Sequence, residues 1–334
     1  MTLLEWMSDF LQGRQMSTVI RGTASQNREV TSGVPQGSVL APIMFLIYVN
    51  DLGEDINNNS YINMFADDAK IQRKIDNENS CMELQEDINK IKTWSEKWKM
   101  EFNVGKCHVV RFGESSRRPV WEYKLGDEKV PSADKEKDLG VVINNKLKPE
   151  DHVNQVTGKM YNLLTNMKIA FMYMDANMVR KIITTFIRPT LEYASVVWNP
   201  HLQKDIKKIE RIQRAATRLA PELRELSYEE RLKALNLTTL EARRKRGALI
   251  TLYKCTTGMI DIDKEDFIKP GNRRTRGHSK KLQERQGKKD VRKYSFPNRF
   301  IKAWNDLPEH IVSAKNIHQF KKLYDKMTQA DGTT

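Results

Sequence analysis

Leu3, Leu4, Met7, Phe10 and Leu11 recur at the spacing of one helix face, so the chain is expected to open with an amphipathic helix that Gly13 ends. Residues 17–20 and 29–31 read as short strands around a turn-rich stretch at 22–28. A glycine-containing loop, 33–37, then leads into an apolar run where Pro42 suits a first helical turn, because its missing N–H is unused there. Residues 43–52 are apolar nearly all round, which predicts a helix buried under a sheet. Two alternating runs, 61–66 and 69–75, predict a β-hairpin with Asp67 and Asp68 at its tip.

From 81 to 99, Leu84, Ile88, Ile91, Trp94, Ser95 and Trp98 share one helical stripe, and the two tryptophans read as core. Residues 109–112 and 138–144 read as strands, and 117–131 as a hairpin or loop. Beyond Pro149 the period is helical over 153–170, 177–186, 205–219, 228–235 and 240–255. Between 269 and 293 it breaks: 11 lysines and arginines stand against Glu284 and Asp290, a composition expected to be mobile without a partner. Periodic apolar positions return from 296 to 326, among them Phe300, Trp304, Leu307, Ile311, Phe320 and Leu323. The fold class expected is α+β, with an antiparallel sheet packed on helices in 1–148, a helical region in 149–240 and a basic C-terminal region in 241–334.

Charge adds a partner to this outline. The 334 residues carry a formal charge of +14, of which residues 241–334, with 23 lysines and arginines against 11 acidic residues, hold +12. A polyanion-facing surface is therefore expected towards the C-terminus. Cys81, Cys107 and Cys255 are far apart and form no ligand cluster, which argues against a disulfide frame or structural zinc and for a reducing, intracellular compartment, cytoplasmic or nuclear. The longest apolar run, residues 39–49, is well short of the roughly 20 residues needed to cross a bilayer, and Glu5 and Asp9 interrupt the first helix, so no membrane partner is expected.

Adjacent carboxylates at a hairpin tip repel unless a cation sits between them, although aspartate is also simply common in turns. What precedes them changes the picture. Ser32 to Leu52 (SGVPQGSVLAPIMFLIYVNDL), Phe65 to Lys70 (FADDAK), Trp94 to Gly113 (WSEKWKMEFNVGKCHVVRFG) and Asp138 to Val142 (DLGVV) resemble, in that order, the palm of reverse transcriptases. More narrowly, they look like the polymerase of non-LTR, LINE- or jockey-like retrotransposons. Arg188 to Asn199 (RPTLEYASVVWN), Ile209 to Leu219 (IERIQRAATRL) and Trp304 to Pro308 (WNDLP) extend the resemblance over nearly the whole chain.

The resemblance implies an RNA-directed DNA polymerase: partial fingers and palm in 1–148, a thumb-like region in 149–240, and RNA template, DNA primer or target and deoxynucleoside triphosphates as partners. Asp67 and Asp68 would hold Mg2+, or Mn2+ in its place, since such hard cations take a few carboxylates plus substrate phosphates. Gly33, Pro35, Gln36 and Gly37 would approach the nascent pair, with Gln36 touching it. The alternative for this loop is a rigid strand-to-helix turn with Ser38 capping the helix. Phe65 and Ala66 would lie beside the primer end, where a small Ala66 leaves room; it equally suits a packed strand. Lys106 matches a lysine placed near the triphosphate in related polymerases, where an ammonium complements phosphate charge, or is a solvated turn lysine.

Lys204, Lys207, Lys208, Arg211, Arg214 and Arg218 give one helix a basic face able to track phosphates, or an ordinary solvated face. Arg273, Arg274, Arg276, Lys280, Lys281, Arg285, Lys288 and Lys289 form a second basic group, readable as nucleic-acid-binding, solubilising or nuclear-import. In the resembling family a third carboxylate comes from an upstream strand that is missing here, while Asp51 falls at a helix end and not on the metals. The expectation is thus a C-terminal piece of a polyprotein and a poor enzyme by itself. The competing expectation is a non-catalytic nucleic-acid-binding remnant, and a helical protein-binding scaffold stands third.

Overall fold

The computed structural model describes residues 2–113, 119–260, 262, 267–271, 277–285 and 287–330. The architecture is α+β, and the chain divides into two compact units, residues 1–109 with 115–132 and residues 110–114 with 133–334. Every strand ladder among the described residues has two strands, so the single sheet expected for the first half is replaced by separate two-stranded ladders.

In the first unit, helix α1 (Leu3–Leu11) begins with a reciprocal cap in which Thr2 Oγ1 accepts the Glu5 N–H and the Glu5 carboxylate accepts the Thr2 N–H. Strands β1 (Gln15–Met16), β2 (Val19–Ile20), β3 (Thr23–Ala24) and β4 (Arg28–Glu29) follow, paired β1 with β4 and β2 with β3. Helix α2 (Ala41–Val49) starts with Pro42 in its first turn, and Ser38 Oγ accepts the Ala41 N–H at 3.1 Å. The expectation that this helix is buried fails: only Ala41 and Val49 are buried, and Ile43, Leu46 and Ile47 are 51%, 58% and 64% exposed. The described strand ladders of this unit have two strands each, too narrow to cover a helix that is apolar on every side.

Strands β5 (Ser60–Phe65) and β6 (Asp68–Arg73) form the expected hairpin, in register from Ser60 opposite Arg73 to Phe65 opposite Asp68. Helix α3 (Glu78–Lys97), capped by Asn77 and Ser80, packs beneath it and carries a thin core of Cys81, Ile91 and Ser95. Trp94 and Trp98 do not sit at its centre. Trp94 is half-buried, Trp98 is at the exposed edge, and both meet Tyr48 edge-on, with ring centroids 6.2 and 5.7 Å away. Gln85 clasps the small hairpin β7 (Lys124–Leu125) and β8 (Glu128–Lys129), accepting from the Lys124 N–H at 2.9 Å and donating to the Lys124 carbonyl at 2.8 Å.

The second unit opens on a hairpin, β9 (Lys135–Asp138) and β10 (Val141–Asn144), where a single strand at 138–144 was expected. Leu139 and Gly140 both take positive φ, 44° and 86°, and this reverses the chain as two-residue hairpin turns require. Helix α4 (Glu150–Ala170) is followed by α5 (Ala176–Ile182), which passes through one π turn at Ile183–Ile187 into α6 (Arg188–Glu192). Pro189 explains the wider turn: it lacks an N–H to donate back along the helix, and the Arg188 N–H reaches Ile183 O, five residues back. Helices α7 (Ser195–Trp198), α8 (Gln203–Ala216), α9 (Tyr228–Ala234) and α10 (Leu240–Thr256) complete a core that includes Val153, Ile183, Ile187, Leu191, Ile209, Ile212 and Leu240.

A second core joins Leu249, Leu252 and Tyr253 of α10 to Phe300, Trp304, Ile311 and Phe320 near the C-terminus. The described part of the segment expected to be mobile is pinned to that core. Leu282 is buried between the Asn305 side-chain oxygen and nitrogen at 2.9 Å each, His278 Nε2 lies 2.9 Å from Trp304 O, and Trp304 Nε1 donates to Lys280 O at 2.9 Å. Two buried side chains, His278 and Leu282, spaced along a basic stretch hold it, a pattern that composition alone does not reveal.

His152 makes the second unit acid-sensitive. It is buried, its Nδ1 accepts the Val142 N–H at 3.2 Å, and its ring lies 4.8 Å from that of Trp198. Burial pushes its pKa below the ordinary imidazole value, and burial followed by Arg299 does the same to His201. The unfolded chain therefore binds protons first as pH falls, and stability rises with pH through this range. Thermal melts are expected to lose stability as pH falls below about 6.5, with a shallower loss in His152→Phe. A flat melting temperature below that pH in the native chain would contradict the assignment.

Candidate catalytic hairpin and nucleic-acid interface

Asp67 and Asp68 occupy the tip of the β5–β6 hairpin, and both are exposed. Ala66 and Asp67 form its two-residue turn, and Ala66 takes φ 53°, a region that costs an L-residue roughly 1–2 kcal/mol. The strain is stored next to the carboxylates, where the turn redirects Asp67 while Asp68 resumes the strand opposite Phe65. Alternation gives the hairpin two faces: Tyr61, Asn63, Phe65, Asp68, Lys70 and Gln72 form an exposed one, and Ser60, Ile62 and Arg73 turn towards α3.

The base of the hairpin is fixed by a buried polar network that the sequence did not disclose. Asp87, fully buried in α3, accepts the Ser60 hydroxyl at 2.6 Å and the Asn57 N–H at 2.8 Å. Arg73 Nη1 donates to Ser60 Oγ at 3.0 Å and lies 3.7 Å from the Asp87 carboxylate, while its Nη2 pairs with Glu83. A few residues past the end of α2, Gly53 approaches the same hairpin so closely that a methyl group there would lie 2.5 Å from Ile62 Cγ2. The end of α2 is further tied to α3 by Trp94 Nε1, which donates to Asp51 at 2.8 Å. Asp51 is thus a structural acceptor.

Gly33 and Gly37 of the preceding loop take φ 75° and 84°, which explains glycine at both positions without any crowding, since a methyl group on either would meet open space. Pro35 is half-buried and Gln36 exposed between them. Arg14, also unforeseen, holds the loop: its Nη2 donates to Gly33 O at 2.6 Å and its Nε to Leu11 O at 2.8 Å. Lys106 is exposed on a separate 3-10 turn, Val104–Lys106.

Asp67 and Asp68 suit the sparse donor set of magnesium, which needs only one or two carboxylates when substrate phosphates supply the remaining oxygens. Among the described residues no third histidine, cysteine or acidic side chain converges with them into a cluster.

In the second unit the basic face of α8 separates into two groups. Lys204 Nζ pairs with Glu150 at 2.7 Å and holds that carboxyl below its usual range, and Lys208 Nζ donates to Asn154 at 2.5 Å. Both of these lysines therefore fasten α8 to α4. Lys207, Arg211, Arg214 and Arg218 remain exposed in a row at helical spacing, with Arg214 packed 4.5 Å from the centre of the Tyr228 ring. Lys280, Lys281 and Arg285 are half-buried, Lys288 and Lys289 are exposed, and Arg273, Arg274 and Arg276 lie outside the described residues. No helix among the described residues is long and apolar enough to cross a membrane.

Residues 1–146 match the family model for reverse transcriptase (RNA-dependent DNA polymerase). The chain is 25% identical over 224 residues to a probable RNA-directed DNA polymerase from transposon X-element of Drosophila melanogaster, covering 64% of this chain and 24% of that protein. It is also 25% identical over 225 residues to the RNA-directed DNA polymerase from mobile element jockey of Drosophila funebris, covering 63% of this chain and 24% of that one. The chain thus spans about a quarter of the length of the curated relatives it matches. No solved structure matches it. With its two aspartates inside the matched span, the N-terminal 146 residues are similar to reverse transcriptases, and the relatives carry that likeness to non-LTR, jockey-like elements.

Proposed function

We propose that the hairpin carrying Asp67 and Asp68 is the catalytic centre of an RNA-directed DNA polymerase, with residues 1–148 contributing part of its fingers and palm, 149–240 a thumb and 241–334 a basic C-terminal region. The observation that carries the reading is the exposed pair of adjacent carboxylates at the tip of a hairpin whose turn is strained at Ala66, within the span that matches reverse transcriptases. Bound there, Mg2+ or Mn2+ would lower the barrier to attack by the primer 3′ oxygen and neutralise the departing pyrophosphate.

This chain's own groups would then divide the remaining tasks. Asp67 and Asp68 would hold the cation, Gly33 to Gly37 would give a nucleotide close access to backbone, and Lys106 would supply positive charge to phosphates. Lys207, Arg211, Arg214 and Arg218 would follow the phosphates of RNA template and DNA primer without reading sequence. The exposed apolar face of α2 supports a further part of the reading, that upstream residues of a longer polyprotein cover it and complete the carboxylate set.

Primer extension on an RNA template by the full-length protein tests the proposal. Deoxynucleotide incorporation is expected with Mg2+ and its disappearance with a chelator. A second reading, a nucleic-acid-binding remnant without synthesis, is favoured by the absence of a converging third acid among the described residues. RNA binding that weakens with salt, with no incorporation by the full-length protein, would decide for it.

A further inference from the structure

One concavity of the second unit has no role in the reading above. A pocket of about 550 Å³ opens where the C-terminal end of α4 meets that of α8, lined by Lys168, Phe171, Tyr173, Arg218 and Arg224 around a floor of Met174 and Leu219. Its rim is unusual for a surface loop. Phe171 is 41% exposed, Tyr173 is 64% exposed, and Met172 between them is fully exposed, so three large apolar side chains in succession stand in water.

The positive charge there exceeds what the helix ends require. Lys168 lies in the last turn of α4 and Arg214 in that of α8, where cations offset the carbonyl ends of the helix dipoles. Arg218 and Arg224 lie beyond α8, and the buried Arg231 loses basicity first through burial and then through the proximity of Arg218 and Arg214, so like charges converge on this side. The neighbouring acids are engaged elsewhere: Glu222 accepts the Ala176 N–H at 2.7 Å, and Asp175 accepts the Met178 N–H at 2.7 Å. No carboxylate lines the pocket.

Exposed aromatic rings beside unopposed cations match the chemistry of a single-stranded nucleic acid, whose bases present π-faces and whose backbone presents phosphates. A duplex, with its bases stacked inside, would use the cations and leave the rings idle. We propose that this pocket binds single-stranded RNA or DNA, with one or two unstacked bases against Phe171 and Tyr173 and phosphates on Lys168, Arg218 and Arg224. The row Lys207, Arg211, Arg214 and Arg218 leads to its mouth, so the strand continues along α8. The inference takes its polymer from the proposed function but not its chemistry: binding needs neither Asp67 nor Asp68.

Fluorescence anisotropy with the 334-residue chain tests it, using a labelled homouridylate oligomer, an abasic oligomer of equal length and a duplex. Phe171→Ala and Tyr173→Ala are each expected to weaken homouridylate binding roughly five-fold or more while leaving the duplex, the abasic oligomer and the circular dichroism spectrum unchanged. Lys168→Gln and Arg224→Gln are each expected to reduce the slope of log affinity against log salt by about 0.7. Unchanged homouridylate affinity in both aromatic variants overturns the proposal, as does an equal loss on the duplex. Competition by an acidic peptide that is sensitive to the same substitutions would also overturn it, in favour of a protein ligand. Since extension activity is not measured, a negative result here leaves the carboxylate reading intact, and a polymerase failure leaves this one intact.

Discussion

Exchanging Asp67 or Asp68 for asparagine in the full-length protein is expected to slow primer extension by roughly 100- to 1,000-fold with RNA binding unchanged. A divalent cation contributes several kcal/mol of charge stabilisation to phosphoryl chemistry, and each 1.4 kcal/mol or so is a factor of ten in rate. An amide keeps the shape of the side chain but removes the negative charge, so the cation loses its anchor. Asp67 lies in the two-residue turn and Asp68 next to it at the start of β6, and both are exposed, so the fold is expected to survive, which unchanged melting temperature would confirm. The cations proposed to hold nucleic acid lie on α8 and beyond, outside the hairpin, which is why binding is the internal control. Extension at the native rate by both variants would remove the metal role from this hairpin.

Removing Asp87 is expected to have the largest effect on stability. Asp87→Ala strips the acceptor from the Ser60 hydroxyl and the Asn57 N–H and leaves Arg73, whose side chain is 2% exposed, with a diminished counter-charge. Deleting one partner of a buried ion pair typically costs about 3–5 kcal/mol, because the other charge stays desolvated. Arg73 Nε already lacks a partner in the native fold, so little slack remains to absorb the loss. Asp87→Asn, which keeps an acceptor oxygen, is expected to cost less. Chemical denaturation and hydrogen exchange at the β5–β6 amides measure both, and a loss below about 1 kcal/mol in Asp87→Ala would show that the network contributes little. Because this network seats the base of the hairpin, Asp87→Ala is also expected to lower extension through misplacement of Asp67 and Asp68, while RNA binding by the second unit persists.

The hairpin itself was legible because its signal is local: alternation on either side of a turn, with carboxylates where nothing apolar would be spent. The β5–β6 register then follows from turn length. Helix α2 shows the opposite case. Its composition called for burial, yet Ile43, Leu46 and Ile47 are exposed, because burial depends on a partner surface and not on the helix alone. The 138–144 stretch was missed for a subtler reason. Leu139 adopts positive φ, which only Gly140 beside it hinted at, so one expected strand became two.

The supporting residues left no trace at all in the pattern. Arg14, Asp87 and Gly53 act on partners 19, 27 and 9 positions away, Gly33, Ser60 and Ile62 respectively, and each would pass in the sequence for an ordinary surface or turn residue. Likewise, six cations of α8 looked equivalent, yet Lys204 and Lys208 fasten the helix to α4 while the other four face outward.

What the amino-acid order settled alone was the β5–β6 hairpin, the run of helices beyond Pro149, the likeness of the first 146 residues to reverse transcriptases and the adjacency of Asp67 and Asp68, since periodicity, motif spacing and turn chemistry act over a few residues. Which face of each helix is covered, how the hairpin is seated, and where Phe171, Tyr173, Arg218 and Arg224 meet around one pocket were decided by tertiary structure. Those features arise when segments far apart in the chain exclude water together, and the free energy of that step belongs to pairs of surfaces that no single stretch of sequence contains.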